Sequence, residues 1–284
     1  MSFLSVTGGH VARVALLLAL VFSANAAHAA RFLYTGGPHA LDSARVTAIG
    51  HTFATFPAND AGWASVFSGG YGAFDAILVG EGIPSTSPAT KASIASYVSN
   101  GGRVIVASNH DGNVSFMNPV FGYSTTVNYG CRSDNSVAGS LQPAAAGTST
   151  FAAGPATVAN LSCTSALNAA SVPAAARTIY AGAGTALAFG TKYGSGNMVW
   201  LGWDLCCGGS VAQKDDWYLV LDNSIRFTGF FTTCAAEGFT GSRLTLCRQV
   251  CEVPQTAARL TSLIRLYTTT YRSPSPCPDV VARL

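Results

Sequence analysis

The residues best suited to chemistry gather where short apolar runs end. Ser108, Asn109, His110 and Asp111 follow the run at 103–107, Trp203 and Asp204 follow 197–202, Glu81 follows 76–79, and Gly36, Gly37 and His39 follow 32–34. Histidine titrates near neutral pH, so His110, oriented by Asp111, Asp204 or Glu81, has the makings of a general base for hydrolysis, with Ser108 as nucleophile. Ser108 and His110 stand too close in sequence to face each other without a special turn. The same groups also read as a binding site. Asn109, Asp111 and Asp204 suit hydroxyls, and Trp203 or Trp63 offers a flat apolar face to a carbohydrate or other polyol. Calcium is a poor fit, because Asp111-Gly112-Asn113 lacks the length and the acidic close of an EF-hand loop. The plain structural reading is a turn at Asp111-Gly112, knitted by its own hydrogen bonds.

Other suggestive patterns carry less. Gly80-Glu81-Gly82, Gly182-Ala183-Gly184 and Gly194-Ser195-Gly196 do not continue into a dinucleotide fingerprint before a helix, so no phosphate site is expected. Asp215-Asp216 reads as a helix cap rather than an acid–base pair, and Trp200, inside an apolar strand, reads as core. Eight cysteines remain: Cys131, Cys163, Cys206, Cys207, Cys234, Cys247, Cys251 and Cys277. No Cys-x-x-Cys pair occurs and no histidine lies beyond His110, which argues against structural zinc and leaves no metal or other cofactor expected. The vicinal Cys206-Cys207 reads as structural before redox-active.

The first thirty positions read as an export signal. Arg13 precedes a run at 14–22 too short to span a bilayer, and Ala27-His28-Ala29 or its neighbours fit a small-residue cleavage site. The mature chain is expected to begin near Arg31, secreted or periplasmic and without a transmembrane segment, where an even cysteine count reads as disulfides. Charged residues are only 10% of the chain and hydrophobic residues 49%, which excludes a charge-rich disordered protein, a coiled coil or a basic nucleic-acid binder.

The mature chain divides at about residue 231. Residues 31–231 alternate apolar runs with helical patterns, as a parallel sheet with crossover helices does. Phe32-Leu33-Tyr34 reads as a first strand and Ala76-Ile77-Leu78-Val79 as a strand covered on both faces. Ser87-Pro88 starts a helix with Ile94, Tyr97 and Val98 on one face, and Gly101-Gly102 ends it before the buried strand 103–107. Between about 122 and 176, Gly, Ala, Ser and Thr dominate, which predicts an insertion of short strands and loops clamped by Cys131 and Cys163. Residues 185–192 and 197–203 flank the turn Tyr193-Gly194-Ser195-Gly196 as an antiparallel hairpin at the sheet edge. A helix over 215–227 closes the domain.

Residues 232–284 read as a separate helical module. From Cys234 onward the tail carries six arginines against three acidic residues; on a helical hairpin such arginines form a solvated face before they form a binding site for an anionic surface. Helices are expected at 241–252 and 254–272, the second burying Leu260, Leu263, Ile264, Tyr267 and Tyr271. Cys247 and Cys251 share a helix face with side chains too nearly parallel to bond each other, so each is expected to reach Cys234 or Cys277. Such bridges, worth about 2–4 kcal/mol each, would supply what so small a core lacks.

Three segments in this order, 74–79, 97–106 and 193–202, resemble the class I glutamine amidotransferase-like fold, which is flavodoxin-like, in the branch that includes ThuA-like proteins and the trimerisation domains of some beta-galactosidases. The resemblance implies a mostly parallel α/β sheet with helices on both faces. It also places a nucleophilic Cys or Ser on the elbow after the strand at 103–107, with its His and carboxylate partners after the strand at 198–202. Here the elbow reads Ser108-Asn109-His110-Asp111-Gly112 and the later position reads Trp203-Asp204. The scaffold's amidotransferase chemistry is therefore not implied. The reading that follows is an exported, non-catalytic module binding a carbohydrate, another small polar ligand or a cell-envelope component. The competing reading is an envelope hydrolase of glycan or amide bonds using His110 with Asp111 or Asp204.

Overall fold

The computed structural model describes residues 29–36, 41–80, 86–108, 110–147, 149–230, 240–251 and 257–272. The expected export signal, apart from its last two residues, therefore lies outside the described residues, as do Gly37, His39, Glu81, Asn109, Cys234 and Cys277 and the side chain of Cys251. Among the described residues no helix is long and apolar enough to cross a membrane.

Strands β1 (Arg31–Tyr34), β2 (Thr52–Thr55), β3 (Ala76–Val79), β4 (Arg103–Ala107) and β11 (Gly196–Leu201) form the parallel half of an 11-stranded sheet, in the order β2-β1-β3-β4-β11. That is the flavodoxin-like order, with β11 in the fifth place. Neighbouring residues along these strands are divided between two cores, as the alternation of a pleated strand requires. Phe32, Leu78, Ile105 and Val199 face α1 (Ser43–Ala48) and α6 (Val211–Ile225). Leu33, Ile77, Val104, Val106 and Trp200 face α2 (Asp60–Phe67), α3 (Pro88–Ser99) and α4 (Val114–Phe121). The expected α/β class, with helices on both faces, holds. Helix α3 begins where the sequence places it: the Ser87 hydroxyl accepts from the Thr90 N–H at 3.2 Å, and Pro88 occupies the first turn.

The expected hairpin is present but not at an edge. β10 (Thr185–Tyr193) pairs antiparallel with β11, which pairs parallel with β4; the other edge of β10 pairs with β9 (Arg177–Gly182), and on the β11 side its first two residues pair with β8 (Thr164–Asn168). The reason is burial: β11 is covered on both faces along its whole length, and β10 nearly so. The insertion supplies the rest of the sheet. β5 (Val127–Arg132) pairs with β8, and β6 (Val137–Leu141) bridges β9 to β7 (Thr157–Ala159). A short helix, α5 (Pro143–Ala146), follows β6. The expected clamp is made: Cys131 and Cys163 are disulfide-bonded.

The closing helix corrects the expected start at Asp215. Its N-cap is Ser210, in a capping box with Gln213, so Asp215 and Asp216 lie beyond the first turn. Asp215 instead pairs with Arg45 of α1, tying the two helices together. On the same side, His51 is 1% exposed, its Nδ1 accepts from the Ala30 N–H at 3.1 Å, and its Nε2 lies 2.8 Å from Asp222 Oδ1. An accepting Nδ1 leaves the neutral ring's proton on Nε2, which therefore donates to the carboxylate. Arg226 holds the other oxygen of Asp222.

In the tail, α7 (Gly241–Cys251) and α8 (Ala257–Tyr271) match the two expected helices. Cys247 and Tyr267 are their buried centre, with Leu244, Leu246 and Tyr271 against them. Cys247 is disulfide-bonded. Arg243 Nε donates to the Tyr267 hydroxyl at 3.1 Å, so this arginine is partly absorbed in packing rather than wholly solvated.

Candidate functional site

The sheet brings Ser108, His110 and Asp111 to the carboxyl end of β4 and Trp203 and Asp204 to that of the adjacent β11. In open parallel sheets this is the edge where ligands bind. The loop after β4 is held on three sides. Asn113 Nδ2 donates to the carbonyls of Gly80, at the end of β3, and Ala107, at the end of β4. Trp200 Nε1 donates to the Gly112 carbonyl at 2.7 Å. Gly112 and Asn113 both adopt left-handed backbone, with φ of 64° and 55°, which lets the chain reverse into α4.

Strand β5 crosses directly over this loop. An added Cβ on Gly130 would come within 2.2 Å of the His110 carbonyl oxygen, so only glycine fits the crossing. The next residue is Cys131, and its bridge to Cys163 lies against the His110 ring. Cys163 Sγ is 3.7 Å from Nε2 and 3.9 Å from Nδ1. The imidazole and the two sulfurs each offer a donor atom, and all three atoms lie within 4.8 Å of one another. Both cysteines have left-handed backbone, with φ of 55° and 60°, a conformation that non-glycine residues keep only where surrounding structure imposes it.

Ser108 is 0% exposed. Asp111 Oδ1 accepts from the Asn113 N–H at 2.8 Å and Asp204 Oδ1 from the Cys206 N–H at 3.0 Å, so each carboxylate organises its own turn. Of the polar groups chosen from the sequence, His110 is exposed, Asp111 half-buried and Asp204 7% exposed. Trp203 corrects the expectation of a flat binding face. It is 0% exposed, its indole N–H donates to the Ser162 carbonyl at 3.1 Å, and its ring packs against Trp217 and Tyr218. Trp63 is equally buried, edge-on to Phe56 and stacked with Phe67.

The loop after β11 carries a second bridge, between Cys206 and Cys207. It stands beside the first, because Gly208 packs on Ser162 and Gly209 on Leu161, in the turn that ends at Cys163. Leu205 precedes the pair with φ of 63°, and its carbonyl accepts from the Tyr218 hydroxyl at 3.0 Å. Burial pushes the Tyr218 hydroxyl up to about 12, so it stays protonated as that donor at neutral pH. A separate cavity of about 490 Å³, lined by Phe67, Ser96, Tyr97 and Asn100, opens at the far end of α3, away from this edge.

The residues that sequence reasoning did not connect are the two cysteines of the insertion. Cys163 lies 53 positions from His110, outside any spacing motif. The available signal was the clamp itself, which puts Cys131 and Cys163 at one point.

No protein-family model matches the sequence, and no curated protein does. Among solved structures, the fold is similar to the mmIFT52 N-terminal domain at 11% identity and a TM-score of 0.48, over 66% of this chain and 92% of that one. It is similar to a ThuA-like protein from Bacteroides uniformis at 12% identity and a TM-score of 0.43, over 71% of this chain and 93% of that one. A ThuA-like protein from Parabacteroides merdae gives 11% identity and a TM-score of 0.41, over 70% and 89% of the two chains. The likeness is one of architecture alone.

Proposed function

We propose that the protein is an exported binding module that uses an amidotransferase-like scaffold without its covalent chemistry, and that a small polar ligand occupies the carboxyl edge of β4 and β11. The observation that carries this reading is the burial of Ser108: the side chain at the scaffold's nucleophile position is 0% exposed. A nucleophile must reach the reacting carbon to act, and this one has no surface from which to do so. The groups that do reach the surface, His110 and Asp111, belong to a loop pinned by Asn113, Trp200 and the crossing of β5. A rigid polar edge of this kind suits recognition, because little ordering is lost on binding. Burial of Trp203 and Trp63 removes stacking on those two rings, so hydrogen bonds made with His110 and Asp111 would carry affinity. The two disulfides at this edge fit the oxidising compartment that the signal-like N-terminus suggests.

The test is a screen of sugars, polyols and small carboxylates against the exported protein by thermal shift and calorimetry, run beside glycosidase and amidase assays. Binding that falls at least about tenfold in His110→Ala or Asp111→Ala, with no turnover in either assay, is the expected result; tenfold corresponds to about 1.4 kcal/mol, one good hydrogen bond. Turnover that disappears in Ser108→Ala or His110→Ala would replace this reading with the hydrolase. Mass analysis of the exported chain checks the compartment, with a start at Ala30 or Arg31 expected.

A further inference from the structure

His110, Cys131 and Cys163 come from three segments, the turn after β4, the end of β5 and the residue before β8, yet their donor atoms lie within 4.8 Å of one another. A tetrahedral Zn²⁺ holds sulfur at about 2.3 Å and imidazole nitrogen at about 2.0–2.1 Å, which sets the S···N distance near about 3.5 Å and S···S near about 3.8 Å. Cys163 Sγ already stands 3.7 Å from His110 Nε2. The Cys131 sulfur lies within 4.8 Å of the imidazole, and the two sulfurs, being bonded, are closer than that geometry asks.

We propose that opening the Cys131–Cys163 bridge converts this cluster into a Cys₂His site for a thiophilic d¹⁰ cation such as Zn²⁺. The balance is simple. A dithiol reductant gives two electrons and two protons to the S–S bond and leaves as its own cyclic disulfide. The two thiols release two protons as their thiolates take the cation, and the neutral His110 ring contributes one nitrogen lone pair. Two thiolates neutralise the charge of Zn²⁺, and the exposure of His110 leaves the fourth position to water.

Contacts other than the bridge also hold the three segments together. The Cys131 N–H donates to Ser165 Oγ and the Cys163 N–H to Ser133 Oγ, each at 3.3 Å, and Arg132 pairs with Thr164 in the ladder between β5 and β8. Cys131 is half-buried whereas Cys163 is 8% exposed, so an incoming dithiol reaches the Cys131 sulfur and releases Cys163 as a thiolate beside the imidazole.

The experiment uses the exported protein carrying Cys206→Ser and Cys207→Ser, reduced with dithiothreitol, desalted without oxygen and titrated with Co²⁺ as a coloured stand-in for Zn²⁺. The reduced protein is expected to develop a thiolate-to-cobalt charge-transfer band and tetrahedral d–d bands that the oxidised protein lacks. His110→Ala, at an exposed side chain, should weaken that binding by at least about tenfold, the loss that even an outer-shell partner of a metal causes. Cys131→Ser with Cys163→Ser should remove this component and leave only cobalt bound by tail thiols. If the cysteine variants unfold, as near-ultraviolet circular dichroism would show, the His110→Ala titration decides alone. Identical titrations of the reduced parent and His110→Ala would overturn the proposal.

Discussion

Gly130 fixes where His110 can be, since the strand above the loop has no room for a single methyl group. A Gly130→Ala change must push β5 away from the His110 carbonyl, because the obstacle is backbone and cannot rotate aside. We expect a loss of about 1–3 kcal/mol in urea denaturation, the usual cost of overpacking, with the His110 ring resonances shifted as the bridge moves off it. Asp216 behaves differently. Burial raises its carboxyl above the ordinary 3.8. A raised acid stabilises the fold below its unfolded value and loses that contribution as pH rises through the folded one. Asp216→Asn should therefore be at least as stable as the parent at pH 7, with the advantage closing as the pH falls toward 3.8; an advantage that grows on acidification would refute the assignment. At this scale the sequence was informative about residue type and poor about direction. His110 and Asp111 were legible as polar residues closing a buried strand. Trp203 was not, because a ring one residue beyond a glycine reads as loop until α6 is seen to cover it. The partnership of His110 with two cysteines could not be read at all, since three segments meet there only after the insertion folds.

Elements were legible where a local signal terminates them. Ser87-Pro88 fixed the start of α3, and unbroken apolar runs marked β3, β4 and β11. The start of α6 was misread because Asp215-Asp216 drew attention to charge, whereas the operative signal was the Ser-x-x-Gln spacing of Ser210 and Gln213. The box satisfies two backbone donors at once, so Ser210→Ala should cost about 1 kcal/mol, within the range for lost caps, and Ser210→Gly only a few tenths, as read by thermal denaturation. If Ser210→Ala proved neutral, the helix would owe its start to the Arg45–Asp215 pair instead. The hairpin of β10 and β11 shows the limit of local reading. Its turn was visible, but its place between β4 and β9 depends on pairings with strands far away in sequence.

For the molecule as a whole, β1, β3, β4, β11 and the hairpin strand β10 followed from hydrophobic runs, whereas β2, which has no buried residue, and strands β5 to β9 did not. Strands β5 to β9 are rich in small residues, and their pairing is set by neighbours rather than by their own periodicity. Because β8 pairs with β10, the insertion is continuous with the central sheet, and the bridge that closes its 32-residue span restrains the domain's unfolded state. By chain entropy such a loop is worth about 2–4 kcal/mol. The vicinal bridge spans a sequence separation of 1 and closes no loop, so that source of stability is missing from it. The two should therefore separate cleanly in urea denaturation without reductant. Cys131→Ser with Cys163→Ser is expected to lower the stability of the whole α/β domain in one cooperative transition, whereas Cys206→Ser with Cys207→Ser should change it by less than about 1 kcal/mol, the scale of a local turn. Equal losses in the two variants, or a separate early transition confined to the insertion, would mean that the antiparallel half is a module attached to the sheet rather than part of it.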